Sequence, residues 1–455
     1  MGQERDGSTD RGIGGSTDRR IDESGEGPGS PPIRRSADPS IHRSADPPIR
    51  HPRRLPTFAA FRHRNFRLFF SGYVVSLVGI WMQRVAQSWL VLDLTGSAFY
   101  VGLVEAIGTV PVLVFSLYAG AIADRVAKHR MVIVTQIAAM AVAFGFAALT
   151  FAGLQSIGLV IVLAALLGMA QAFDIPARQS FFIELVGKED LPSAIALNAS
   201  AFNATRLIGP AIAGVLIASI GVAACFFFNG LSYLAVLAAL LVMRLPPIRR
   251  SANPPQSAWA NIREGLRFVG SDRRIRTLLL NIAAMSVFGL PALALLPVVA
   301  RIGLGRGAEE YGWMMSAVGA GALVGALAVA TFAPRMPKGR VLGWAAVAFG
   351  LSVTGLGAVR SLGGVLIFLV LLGAAMITTT ALTNTLLQTL APDGLRGRVI
   401  SVYTFAFVGM APFGALAGGT VAEGFGVNVA LLLGGIATTV VAVMGVWRSK
   451  AVREA

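Results

Sequence analysis

Long apolar runs are the feature of this chain that most constrains its fold. Between residues 66 and 447 twelve segments follow one another, each with ~20 or more mostly apolar residues. Such a segment spans a bilayer as an α-helix, because a helix satisfies its own backbone hydrogen bonds where water is absent. The composition agrees, with 55% hydrophobic and 14% charged residues. We therefore predict an all-α membrane protein with twelve transmembrane helices.

The positive charge of the chain lies in short segments between the apolar runs. The formal net charge is +16 at pH 7, but Lys and Arg are concentrated in every second turn. Turns on the cytoplasmic side of membrane proteins carry such an excess, so the charge indicates orientation and not a nucleic-acid surface. We expect a multi-pass protein of the cytoplasmic membrane with both termini in the cytoplasm. Arg301, Arg306 and Arg360 are exceptions on the opposite side.

Composition divides the chain into five parts. Residues 1–65 are rich in Arg, Pro, Gly and Ser, which predicts a disordered cytoplasmic tail, unless the start site is misplaced upstream. The apolar runs fall into an N-terminal six-helix bundle at 66–244 and a C-terminal one at 276–448, separated by a cytoplasmic linker at 245–275. Residues 449–455 are predicted to be a cytoplasmic C-terminus.

The linker and the two halves show further patterns. In the linker, Trp259, Ile262, Leu266 and Val269 recur at helical spacing, which favours an amphipathic helix on the inner membrane surface over a solvated linker. The segment ELVGKEDLPSAI, between runs four and five, is echoed by QTLAPDGLRGRVI between runs ten and eleven. A six-plus-six repeat predicts a transporter with its site between the halves.

The turn between runs two and three holds a charged motif. Its order of Gly120, Asp124, Arg125, Lys128 and Arg130 resembles the signature loop of the major facilitator superfamily. The resemblance implies a gating loop that latches the cytoplasmic faces of the two bundles in the outward-open state. We expect Gly120 to let a neighbouring helix approach closely. A turn that only follows the positive-inside bias would explain the basic residues but not Asp124.

A closer resemblance extends from about residue 58 to about residue 450. The stretches FRHRNFRLFFSGYVVSLVGIW, FDIPARQSFFIELVGKEDLPSAIALN and EGLRFVGSDRRIRTLL are similar to the branch of the superfamily that contains the enterobactin exporter and macrolide efflux proteins. This resemblance implies export, with the proton gradient as the energy source and without a cofactor. It also implies that Gly209, Pro210 and Gly214 form a helix-packing motif of antiporters.

Five ionisable residues fall inside apolar runs of the first half, namely Arg84, Glu105, Asp174, Arg178 and Arg206. Burying one costs at least ~2.5 to 3.5 kcal/mol on insertion scales, so each needs a partner or a function. Arg84 and Glu105 lie at similar depth in adjacent antiparallel runs, which predicts an ion pair. Asp174 can bridge to Arg178 or Arg206. Such pairs can couple transport to protons, since protonation frees the cation; the alternative is a permanent structural role.

Family resemblance implies that runs one, four, seven and ten line a central cavity. Polar, aromatic and Met side chains on these runs are the candidates for substrate contact: Trp81, Gln83, Gln87, Asn281, Met285, Thr380 and Asn384. A wide, mostly apolar pocket with few polar anchors suits a bulky amphiphile. The alternative role for each of these residues is hydrogen bonding between helices.

We predict a secondary active transporter that exports a siderophore-like or drug-like amphiphile by proton antiport. The alternatives are import of a lipid-like or other small solute, and a membrane scaffold without transport. An enzyme is not expected, because no constellation of His, Cys, Ser and acidic residues lies at one depth. No metal site is expected within the membrane. The expected partners are the bilayer and a small-molecule substrate, with no nucleic acid, and the chain is expected to be a monomer.

Overall fold

Helical segments long enough to cross a membrane make up most of the described part of the chain. The computed structural model describes residues 58–123, 126–243, 267–332 and 335–447, together with 449 and 452. Eleven of its helices are long and apolar enough to span a bilayer. One of these, Ile157–Ile220, is broken at Gly187, where φ is 73° and ψ is 178°, and therefore comprises two spans. The predicted all-α fold and number of spans are confirmed.

We number these spans α1 to α12. The first six are α1 (Arg64–Thr95), α2 (Ala98–Ala123), α3 (Lys128–Phe151), α4 (157–186), α5 (188–220) and α6 (Val222–Val242). The second six are α7 (Arg273–Ala284, continuing with interruptions to residue 303), α8 (Ala308–Phe332), α9 (Lys338–Ala358), α10 (Leu362–Leu390), α11 (Arg396–Thr404, Phe405–Gly409 and Ala411–Phe425) and α12 (Val427–Val441, continuing through Ala442–Trp447).

The ordered part of the first half begins earlier than predicted. A 3₁₀ turn at Ala59–Arg62 precedes α1, although the sequence placed residues up to 65 in a disordered tail. Phe61 of this turn packs against Phe66 and Phe70, and the backbone N–H of Ala60 donates to Ser193 Oγ at 3.2 Å. These contacts tie the segment to the bundle, which composition alone does not reveal.

Most of the predicted linker lies outside the described residues, including Trp259, Ile262 and Leu266. The described chain resumes at residue 267, where Val269 is buried against the second half. Asp272 then caps α7, since its Oδ1 accepts from the backbone N–H groups of Arg274 at 2.8 Å and Ile275 at 3.4 Å.

The two halves repeat a turn at the same place. Gly221 separates α5 from α6 with φ 93°, and Gly426 separates α11 from α12 with φ 87°. A positive φ is costly for residues with a Cβ, so glycine permits the chain to reverse here within a single residue. The repeat agrees with the sequence echo between the halves.

Close backbone contacts join one half to the other. Helix α2 packs against α11, and α5 packs against α8. A Cβ added to Gly102 would lie 2.3 Å from the Ala415 carbonyl oxygen, and one added to Gly312 would lie 2.6 Å from the Pro210 carbonyl oxygen. These glycines lie near the helix ends that face away from the predicted cytoplasmic side, so the halves meet closely there.

Candidate functional site

The larger of two adjoining cavities lies within the first half. It has a volume of about 290 Å³ and is lined by residues of α1, α2, α4, α5 and α6. The predicted contact residues Trp81, Gln83 and Gln87 lie in its wall, together with apolar side chains such as Leu167 and Phe202. The geometry therefore gives three of the seven candidates access to one cavity, while their contact with a substrate stays a prediction.

A smaller cavity of about 120 Å³ lies between the two halves. It shares Trp81, Arg84 and Glu105 with the larger cavity, and it adds Arg206 of α5 and Tyr311 of α8. The two cavities therefore adjoin at these shared residues, and both halves of the protein contribute to their walls. This is where a substrate would contact both halves at once.

The predicted ion pair between Arg84 and Glu105 is present. Arg84 Nη2 on α1 donates to Glu105 Oε1 on α2, and both residues line both cavities. Glu105 is the only carboxylate among the residues that line these two cavities. Because half of the Arg84 side chain is exposed, the pair is accessible to whatever enters.

Trp81 lies between two guanidinium groups. The centre of its ring is 5.7 Å from Arg84 Cζ and 5.5 Å from Arg206 Cζ, and the ring packs edge-on against Phe202. Arg206 is only 7% exposed, and Met376 Sδ at 3.9 Å from its Nη2 is the one side-chain acceptor that it contacts among the described residues. The site therefore combines the Arg84–Glu105 ion pair with a second cation, Arg206, which is buried. Both guanidinium groups lie close to the indole of Trp81.

Asp174 lies in a separate, fully occupied network, and it does not bridge to Arg206. Its Oδ2 accepts from Arg178 Nε at 2.9 Å, and its Oδ1 accepts from Thr135 Oγ1 at 3.1 Å and Gln136 Nε2 at 2.9 Å. Helical spacing brings Arg178 to Asp174, whereas Arg206 lies on another helix facing Trp81. This geometry favours the structural alternative for Asp174 and Arg178.

The four candidates of the second half line neither cavity. Asn281 and Met285 are buried, at 3% and 1% exposure. Thr380 donates to the Met376 carbonyl oxygen, and Asn384 accepts from Gln388. These hydrogen bonds run along α10 itself. None of the four lines either of these two cavities, and their contact with a substrate stays a prediction.

The gating loop is described only in part, since Asp124 and Arg125 lie outside the described residues. Lys128 Nζ donates to Glu184 Oε1 at 2.8 Å, within the first half. Arg130 lines a separate apolar groove on α3. Among the described residues, no atom would lie within 4 Å of a Cβ added to Gly120, so this state does not show the expected close approach of a helix there.

The glycine–proline motif of α5 contacts two helices. A Cβ at Gly209 would lie 2.6 Å from Trp81 Cβ on α1, and one at Gly214 would lie 2.9 Å from the Glu309 carbonyl oxygen on α8. Pro210 faces Gly312 of α8. The motif thus positions Trp81 and also brings the halves together.

Polar contacts close the site at the end opposite the predicted cytoplasmic face. Asp93 Oδ1 accepts from Arg301 Nη1 at 2.6 Å, which joins the ends of α1 and α7. Glu423 Oε2 accepts from Ser97 Oγ at 3.0 Å and from the Phe99 backbone N–H at 3.3 Å, at the start of α2. We call these five residues the clasp. Each contact crosses between the halves.

Weakening the clasp is expected to expose the cavity from that side. Asp93→Asn removes one exposed ion pair, which is worth about 0.2–1 kcal/mol, so the open population should rise by up to about fivefold. A cysteine at Ser88, which lines the smaller cavity, reports this as the rate of labelling by an impermeant maleimide. The native Cys225 is fully buried and contributes little background.

The exposed cation Arg360 supplies the control for this labelling experiment. Arg360→Gln should leave the rate unchanged, because it removes a charge near the same face without touching the clasp. An Asp93→Asn protein that labels no faster than the parent would show that the clasp does not hold this face closed.

Several site residues escape sequence reasoning. Tyr311, Phe202 and Met376 surround Trp81, Arg84 and Arg206, yet they are apolar or aromatic residues in apolar helices. Phe202 of α5 and Tyr311 of α8 line the cavities, and Met376 of α10 contacts Arg206, because the rotation of these helices turns the three side chains toward the site. No local sequence pattern predicts how these helices are rotated. Only the position of Tyr311, in the first turn of α8 near the clasp, indicates that it could lie at the site.

Three comparisons with known proteins bear on this site. A family model described as transmembrane secretion effector matches residues 55–454. The multidrug efflux pump Tap of Mycolicibacterium fortuitum is 29% identical, over 76% of this chain and 87% of its own length. The staphyloferrin A transporter of Staphylococcus aureus is 25% identical, over 82% of this chain and 93% of its own length.

The fold is also found among solved structures. A bacterial homologue of the human lysosomal transporter Spinster, in an inward-facing and unoccupied conformation, superposes with a TM-score of 0.66. The match covers 87% of this chain and 96% of that protein at 13% sequence identity. At this identity the likeness concerns the fold alone.

Proposed function

Because the chain belongs to the transmembrane secretion effector family of the major facilitator superfamily, we propose that it exports a siderophore-like or drug-like amphiphile across the cytoplasmic membrane by alternating access. The proton gradient supplies the energy, and both termini lie in the cytoplasm. The chain is a multi-pass membrane transporter and not an enzyme. No cofactor takes part in the proposed cycle, and the protein acts as a monomer.

The accessible carboxylate of Glu105 carries this proposal. A carboxylate paired with an arginine in a cavity can bind and release a proton during transport, since protonation removes its attraction for the cation. The charged or titratable groups that share a cavity with Glu105 are Arg84, Arg206, Tyr311 and, in the larger cavity, Tyr233. Protonation of Glu105 would therefore release Arg84 and remove an ion pair that joins α1 to α2.

The shape and polarity of the site support an amphiphilic substrate. The larger cavity is lined by apolar side chains together with polar groups that include Gln83, Gln87 and the ion pair. Apolar pockets with few polar anchors take ligands with an apolar body and a polar group. The relatives include a multidrug efflux pump, which agrees with a substrate of this kind.

The closed clasp supports loading from the cytoplasm. Under the predicted orientation, Asp93, Arg301 and Glu423 close the outer end of the site. An exporter in this state would take up its substrate from the inner side and release it after the clasp opens. Alternating access requires that such contacts break in each cycle, and exposed ion pairs are weak enough to do so.

Replacing Glu105 with Gln is expected to abolish proton-driven export. Inside-out vesicles with an acidic lumen are incubated with three fluorescent amphiphiles: anionic anilinonaphthalene sulfonate, neutral phenylnaphthylamine and cationic ethidium. The parent protein should accumulate at least one of them. Glu105→Gln should reduce the accumulation driven by the pH gradient about tenfold or more, since its side chain stays neutral at every pH.

Asp393→Asn is the matched control, because it neutralises a carboxylate that is 92% exposed and lies outside both cavities. It should transport as the parent does. Full pH-driven accumulation by the Glu105→Gln protein would refute the role of this residue, and uptake only into right-side-out vesicles would indicate an importer instead.

A further inference from the structure

We propose that Arg206 binds an anionic group of the substrate, so that the transported amphiphile is an organic anion. This inference rests on the proposed function and specifies its substrate class. The anionic group would be a carboxylate, sulfonate or similar oxyanion, and the apolar body of the molecule would lie in the larger cavity beside Phe202 and Leu167.

Arg206 is a buried cation without a carboxylate partner in the described part of the chain. It is 7% exposed, its Nε has no hydrogen-bond acceptor, and Nη2 contacts only the weakly accepting Met376 Sδ at 3.9 Å. A guanidinium has five N–H donors and stays charged, so burial without acceptors is costly. An anionic group from outside the chain would supply the acceptors that Arg206 lacks.

The site around Arg206 has an excess of positive charge, which a bound anion would neutralise. Two guanidiniums and one carboxylate line the smaller cavity, and the carboxylate of Glu105 is already paired with Arg84. Asp174, the nearest alternative considered from the sequence, is occupied by Arg178. The remaining charge on Arg206 therefore makes the cavity electropositive, which attracts anions and repels cations.

The geometry around Arg206 also fits an oxyanion. The indole of Trp81 lies 5.5 Å from the guanidinium carbon and partly stabilises the cation when the site is empty. A ring face offers no hydrogen-bond acceptor in the guanidinium plane, so the N–H groups stay available. A planar guanidinium can bind a carboxylate or sulfonate through two parallel hydrogen bonds.

The position of Arg206 explains how such an anion would contact both halves. Arg206 lies on α5, and Tyr311, Met315 and Pro291 of the second half line the same cavity. The backbone of Arg206 also packs on α8, where a Cβ at Gly319 would lie 2.7 Å from the Arg206 carbonyl oxygen. An anion held by Arg206 is therefore bound at the surface along which the halves move against each other.

The test is equilibrium binding to the purified full chain in lipid nanodiscs. The two probes are anilinonaphthalene sulfonate and phenylnaphthylamine, which share an aromatic body and differ in the sulfonate. The parent should bind the sulfonate at least about tenfold more tightly than the neutral probe. Arg206→Gln should remove this preference and leave the affinity for the neutral probe within about twofold, while Arg206→Lys should retain part of the preference.

Arg360→Gln is the control, since it removes an exposed cation away from both cavities and should leave both affinities unchanged. A folded Arg206→Gln protein should also melt at a higher temperature than the parent, because the unpaired cation is gone. If Arg206→Gln does not fold, the Arg206→Lys protein and the parent are compared instead. The quantity compared is the preference of each protein for the sulfonate over the neutral probe.

An unchanged preference in Arg206→Gln, or no preference in the parent, would overturn the inference. Binding is measured here without flux, so the outcome separates from that of the vesicle experiment. Export of the probes without charge preference would leave the proposed function standing and remove the anion site. Selective binding of the sulfonate without export would support the anion site and contradict the proposed function.

Discussion

Asp174→Ala is expected to lower the free energy of unfolding by about 3–5 kcal/mol, because it leaves the buried Arg178 without its carboxylate. The Arg178 side chain is 17% exposed. Its Nε donates to Asp174, and its Nη1 donates to the Tyr73 hydroxyl. Thr135 and Gln136 lose their acceptor as well. The effect should appear as a large drop in the apparent melting temperature of the detergent-solubilised protein.

Two further variants show that the loss comes from an unpaired charge. Asp393→Ala, at a carboxylate that is 92% exposed, should change the free energy of unfolding by less than about 1 kcal/mol. The double variant Asp174→Ala with Arg178→Met should recover part of the stability, since neither charge is then buried alone. A double variant as unstable as Asp174→Ala would contradict this explanation.

Gly321→Ala is expected to destabilise the second half by about 3 kcal/mol, the upper end of the usual cost of overpacking. A Cβ at Gly321 of α8 would lie 1.9 Å from the Val370 carbonyl oxygen of α10. The obstructing atom belongs to a backbone, so the helices must separate. Gly373 makes the reciprocal contact, with a Cβ placed 2.1 Å from the Val318 carbonyl oxygen.

Gly363→Ala provides the comparison for Gly321→Ala. Gly363 lies in the first turn of α10 and would have no atom within 4 Å of its Cβ. Alanine should be neutral or slightly stabilising there, because it favours helix. Similar melting temperatures for the two variants would show that α8 and α10 are less closely packed than the structure indicates.

The sequence predicts the spans and their number well, because the bilayer imposes one length and one secondary structure. The depth of a residue in the membrane can also be predicted from its position along an apolar run. The similar depth of Arg84 and Glu105 in antiparallel runs predicts an ion pair, and the two residues are paired in the structure. The glycine–proline motif at Gly209 and Pro210 also proved to be a place of close helix packing.

Helix rotation is what the sequence does not reveal. The numbers of their helices predict that Asn281 and Thr380 line the cavity, yet they line neither of the two cavities described. The motif predicts a helix close to Gly120, and no atom of the described residues lies within 4 Å of the position of its Cβ. Apolar helices in lipid lack the polar and apolar faces that fix rotation in water, so only the contacts between helices determine which residues face inward.

The uneven number of charges beside Trp81 has an electrical consequence. An empty carrier holds one surplus positive charge at Arg206, whereas an anion bound there would make the loaded carrier neutral. The inside-negative voltage would then act on the return of the empty carrier and not on the loaded step. Each charge moved through 100 mV gains about 2.3 kcal/mol, so the voltage alone would favour expulsion of the anion.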